Sequence, residues 1–67
     1  MKNLIKWLEK NDMEYEIIQS TKKTPIVFIA IDVIKNTDLK IRKYLERYIK
    51  PKKIQYAGYY NYLRVDF

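Results

Sequence analysis

Along this chain the spacing of apolar and polar residues changes several times, and each change marks an element. The longest apolar stretch is Pro25-Ile26-Val27-Phe28-Ile29-Ala30-Ile31-Asp32-Val33. It is rich in β-branched residues and opens on a proline, the pattern of a strand buried on both faces. Such a strand belongs in the interior of a sheet, with neighbours on each side. Val27, Ile29, Ile31 and Val33 form one face of it, and Ile26, Phe28, Ala30 and Asp32 form the other.

Upstream, Asn3 to Asn11 has helical spacing: Leu4, Ile5, Trp7 and Leu8 share a face, with Lys6, Glu9 and Lys10 opposite. A helix this short is marginal alone and must dock on a sheet, with Trp7 as its anchor. Met13 to Ser20 alternates, with Met13, Tyr15 and Ile17 against Glu14 and Glu16, and reads as a strand. The polar run Thr21-Lys22-Lys23-Thr24 joins it to the central strand as a hairpin connection.

Downstream, Asn36 or Thr37 is the expected N-cap of a second helix, with Asp38 in its positive first turn. This helix is expected to run from about Asp38 to Ile49, where Pro51 stops it. Its buried stripe is Ile41, Tyr44, Leu45 and Tyr48, its basic stripe is Lys40, Lys43, Arg47 and Lys50, and Arg42 and Glu46 can pair across one turn. Lys52 to Ala57 and Tyr59 to Phe67 read as two strands hinged at Gly58, the only glycine.

The order is therefore α-β-β-α-β-β in a single small α+β domain spanning residues 1–67, with a four-stranded, mainly antiparallel sheet and two helices on one face. Moving the last strand to the front gives the ferredoxin-like order. A circular permutation of that fold would set the last strand parallel to the central one as the inner pair. A plain two-hairpin sheet is the other arrangement.

In both arrangements one sheet face stays open. Ile26, Phe28, Ala30, Tyr60, Tyr62 and Arg64 are expected to look outward there. A patch of this kind has a use. Tyr60, Tyr62 and Arg64 can stack and clamp single-stranded bases, as RNA-recognition domains do, although the (Lys/Arg)-Gly-(Phe/Tyr) signature of those domains is missing. Ile26, Phe28, Tyr60 and Tyr62 can equally form the interface of a homodimer.

Composition narrows the chemistry. There is no cysteine and no histidine, which removes disulfides, thiolate zinc sites, the usual neutral-pH base and every Ser-His or Cys-His arrangement. The Glu14–Glu16 pair lies roughly 6.6 Å apart along its strand, with no third ligand in view; such charges guard an edge strand. Asp32 is best read as an ion-pair partner of Arg64. No enzyme, metal site or cofactor is expected.

The nine-residue apolar run is too short for a membrane span, and the amphipathic N-terminus is no signal peptide, so a cytoplasmic protein is expected. The net charge of +6 and pI near 9.6 favour an acidic partner. The first reading is a nucleic-acid-binding module for DNA or RNA. Lys40, Lys43, Arg47 and the Lys50-Pro51-Lys52-Lys53 corner would contact duplex phosphates. The alternative is a protein-interaction module. The size and the Lys-, Ile-, Asn- and Tyr-rich composition suit an accessory protein of a phage or other mobile element that binds a host protein and self-associates through its sheet.

Overall fold

The computed structural model describes residues 2–18 and 25–67. The elements follow the expected order: α1 (Lys2–Lys10), β1 (Tyr15–Ile18), β2 (Ile26–Ala30), α2 (Thr37–Tyr44) continuing into a π-helical turn (Leu45–Ile49), β3 (Lys53–Ala57) and β4 (Tyr62–Asp66). The expected hairpin tip with Lys22 and Lys23, and the last two residues of the expected first strand, lie outside the described residues. No helix among the described residues is long and apolar enough to cross a membrane.

The sheet runs β1-β2-β4-β3 with every neighbouring pair antiparallel. The apolar stretch is indeed an inner strand, and β4 is its inner partner. That inner pair is antiparallel rather than parallel as expected, and moving β4 to the front turns the observed strand order into the ferredoxin-like one. The reason is the connectivity. The helical crossover from β2 sets β3 parallel to β2 but one place away, and β4 hairpins back from β3 into the gap. A strand entering that gap by a tight turn runs against both neighbours.

Alternation in the strands selects the buried face. Val27, Ile29, Leu63 and Val65 are fully buried, in register with one another, and meet Leu4 and Leu8 of α1 and Ile41 and Leu45 of the second helical segment. Each such side chain contributes about 1.5–3 kcal/mol by leaving water. The opposite face carries no helix among the described residues. There Phe28 sits between Glu16 and Arg64, Ile26 between Ile18 and Asp66, and Ala30 beside Tyr62.

The ends of three elements differ from their sequence pattern. β2 stops at Ala30, and Asp32 turns the chain by accepting bonds from the backbone N–H groups of Ile34 and Lys35 at 3.0 and 3.3 Å. Asp32 is thus a turn residue rather than the partner of Arg64; that partner is Asp66, at 2.9 Å. Asn36 precedes α2 in the left-handed region, φ 59°, and makes no side-chain cap bond. β4 begins only at Tyr62, because Gly58, Tyr59 and Tyr60 all take left-handed backbone, φ 58°, 55° and 67°, and form the turn instead. The side chain of Asn61 closes that turn by donating to the carbonyl of Gly58 at 2.8 Å.

Candidate nucleic-acid interface

The helical layer carries the most distinctive surface. Trp7 of α1 lies on the flank of its buried stripe and stacks face to face on Tyr44 of α2, with ring centroids 4.1 Å apart and planes 9° apart. Tyr48 continues the row, its ring 5.2 Å from that of Tyr44. Arg47 lies over the Tyr48 ring at 5.4 Å, within cation–π range. Three aromatic rings therefore run along the seam between the two helices.

The π turn makes this row. An α-helix turns about 100° per residue, which would bring Tyr48 round beside Leu45 and into the core. Here the N–H of Lys50 donates to the carbonyl of Leu45 at 2.6 Å, five residues back. The wider turn advances each residue less. Tyr48 stays under Tyr44 and is 63% exposed, while Ile49 rotates inward to pack against the core. The expected burial of Tyr48 is thus corrected. Lys50 then takes left-handed backbone, φ 52°, ahead of Pro51, and the helix ends.

Cations border the aromatic row on both helices. On a helical wheel Lys6 and Lys10 follow Trp7 outward, and Lys40, Lys43 and Arg47 follow Tyr44; all five are exposed. Lys40, Lys43 and Arg47 share one hollow with Tyr44 and Tyr48. The carboxylates are elsewhere. Glu9, on the other flank of α1, accepts a hydrogen bond from the Tyr15 hydroxyl at 2.9 Å, and Glu46 lies on the far flank of α2 beside Arg42. Positive charge is thereby concentrated along the aromatic seam.

The remaining predicted residues divide. Lys50, Lys52 and Lys53 gather with Arg42 and Glu46 at the β3 edge, on the opposite flank of α2 from Lys43 and Arg47. Their corner is contiguous with the helical layer but separate from the aromatic row. Tyr62 faces the open sheet surface, where Glu14, Glu16, Phe28 and Ala30 surround it. Tyr60 does not join it there. Its ring packs 5.0 Å from Tyr56, on the helix side of the sheet, because its own backbone belongs to the turn. Arg64 is engaged by Asp66. A single-strand platform of Tyr60, Tyr62 and Arg64 is therefore not assembled, and the carboxylates beside Tyr62 would repel phosphate. Ile26 and Phe28 lie on the open face as expected, half-buried, without Tyr60.

One polar group in the core escapes sequence reading. Asp38 is only 6% exposed, and its Oδ2 accepts a 2.6 Å bond from the Tyr56 hydroxyl, while its Oδ1 has no hydrogen-bond partner among the described residues. Arg42 lies over the Tyr56 ring at 5.7 Å. The bond to Asp38 raises the Tyr56 phenol above its ordinary pKa, and burial adds to this. Tyr15 is raised in the same way by its bond to Glu9. These links tie α2 to β3 and α1 to β1, and so fix both helices on the sheet. Among the described residues no group of His, Cys, Asp or Glu could hold a metal ion.

No protein-family model, curated protein or solved structure matches this chain.

Proposed function

We propose that this protein binds nucleic acid through its helical layer, gripping the phosphates of a duplex. The observation that carries the reading is the seam itself: Trp7, Tyr44 and Tyr48 in a row, bordered by Lys6, Lys10, Lys40, Lys43 and Arg47, with the acidic side chains turned to other surfaces. Five exposed cations on two adjacent helices suit a polyanion with regularly spaced charges. Duplex DNA carries one charge per about 1.7 Å of axis. The 13 residues of α2 and its π turn, about 20 Å at 1.5 Å per residue, therefore lie along roughly a dozen phosphate charges.

Lysine and arginine contacts of this kind position a protein on a duplex and carry little base information. The reading is thus of a sequence-tolerant binder, with the Lys50-Pro51-Lys52-Lys53 corner as an outlying phosphate contact. Tyr48, exposed beside Arg47, is placed to pack against sugar or an end base, since aromatic faces accept any base.

An amide titration by NMR tests the surface. Adding a short duplex at low salt is expected to shift the signals of Lys6–Lys10 and Lys40–Tyr48, and those shifts should fade as salt is raised. Shifts restricted to β1 and β2, or none at low salt, would overturn the assignment.

A further inference from the structure

We infer that the free edge of β1 is a docking site for an extended basic segment of another protein, which adds to the sheet as a further strand. β1 pairs only with β2. The N–H of Ala30 donates to the carbonyl of Glu14 at 2.9 Å, and along an antiparallel ladder the residues that bond to a given neighbour alternate. Glu14, Glu16 and Ile18 therefore turn their backbone groups to β2. Tyr15 and Ile17 turn theirs outward, with no strand beyond them among the described residues. Such an edge is a template for strand addition. Its side chains are open on both faces: Ile17 is 41% exposed on the helix side and Ile18 48% exposed on the other.

The side chains say which strand fits. Glu14 and Glu16 are exposed on the open sheet face and have no ion-pair partner among the described residues. In a chain with 14 Lys and Arg against 8 Asp and Glu, this edge carries two carboxylates and no cation. The two carboxylates border a hollow of about 460 Å³ with Ile18, Phe28, Ala30 and Tyr62. The small Ala30, in one row with Glu14 and Tyr62, leaves that space. A lysine or arginine on the added strand, beside Glu14 or Glu16, leans across β1 into the hollow, where carboxylates and aromatic rings both attract a cation. The residues between the basic ones meet Tyr15 and Ile17 on the other face and are apolar. The segment is thus one that alternates basic and apolar residues.

The same charges act against self-pairing. Antiparallel pairing of β1 with β1 through Tyr15 sets Glu16 opposite Glu16, or Glu14 opposite Glu16, and like charges so placed repel. The other free edge, β3, has the opposite sign: Lys53 lies with Lys50 and Lys52 in one hollow there, so a basic strand is turned away. The β1 edge shares no residue with the helical seam, so the two surfaces can be occupied independently.

The probe is a short peptide of alternating arginine and valine, blocked at both ends and titrated into the isotope-labelled full chain up to about 1 mM, the weak end of the affinity scale. NMR shifts are expected at residues 14–18 and at Ala30 and Tyr62, with none at residues 40–48. Hydrogen exchange of the Tyr15 and Ile17 amides should slow as the peptide pairs with them. Glu16→Lys, and independently Glu14→Lys, should weaken binding about tenfold, with circular dichroism unchanged. The same peptide with glutamate in place of arginine should not bind. Four results would each overturn the inference: no shifts with the arginine peptide, equal binding of the glutamate peptide, binding that leaves exchange at Tyr15 and Ile17 unchanged, or protection of those amides already in the free chain, where a second copy would hold the edge.

Discussion

The π turn can be tested by two neighbouring truncations, Tyr48→Ala and Ile49→Ala. In an α-helical continuation Tyr48 would occupy the buried stripe and Ile49 would lie to the side. The observed turn reverses this, with Ile49 against the core and Tyr48 63% exposed. A fully buried isoleucine cut to alanine costs about 2–5 kcal/mol; Ile49 is half-buried, so about 1–2.5 kcal/mol is expected. Tyr48 loses its ring contact with Tyr44 and its place under Arg47, both at the surface, for about 0.5–1 kcal/mol. A 67-residue chain holds roughly 3–10 kcal/mol in total, so the difference is measurable. Urea unfolding followed by the fluorescence of the only tryptophan, Trp7, reads both variants. The same proteins then go into a duplex titration, where Tyr48→Ala should weaken binding several-fold and Ile49→Ala, where folded, should bind nearly as well as the wild type. If Tyr48→Ala is the more destabilising of the two, the turn is α-helical and the aromatic row is not built as described.

Other outcomes follow from single contacts. Lys43→Ala and Arg47→Ala should each lower duplex affinity and make its salt dependence shallower by about 0.9 in log–log slope, seen by fluorescence anisotropy. Gly58→Ala should cost about 1–2 kcal/mol in the same urea assay, since a left-handed φ of +58° strains any side chain and the new methyl would meet Tyr62 Cδ2 at 2.9 Å. Tyr15 and Tyr56 have raised pKa values in the folded chain, so their bonds contribute fully below the ordinary tyrosine pKa of about 10 and are lost as pH rises through the folded values. Thermal melts across that range should show stability falling on the alkaline side, with a smaller fall in Tyr56→Phe; an equal fall would show that the Asp38 bond is not the titrating contact.

The fold was largely legible because its signals are periodic. The apolar run at Ile26–Ala30, the alternation around Leu63 and Val65, and the helical spacing of Leu4 and Leu8 each name a buried face directly. The direction of the inner strand pair was not legible, since alternation is the same whether the two strands run parallel or antiparallel. What decided it was where β4 enters the sheet. The surface residues were harder. Lys40, Lys43 and Arg47 could be grouped by helical spacing alone, but their association with Trp7 and the α1 lysines depends on a contact between helices. Tyr48 was misplaced because no local pattern announces a π turn. Tyr60 was misplaced because alternation was carried one step into a turn, where three left-handed residues end it. The Asp38–Tyr56 bond joins residues far apart in sequence, and an aspartate in a first helical turn already has a local reason to be there.

The central claim is that the helical seam grips phosphates, and its most direct test is the salt dependence of duplex binding. Affinity for a short labelled duplex is measured by anisotropy at a series of salt concentrations. Five cations from the seam predict a log–log slope of about −4.5, at 0.9 per phosphate neutralised, with no strong preference among sequences. Affinity that does not change with salt, or no binding even at low salt, would contradict the account.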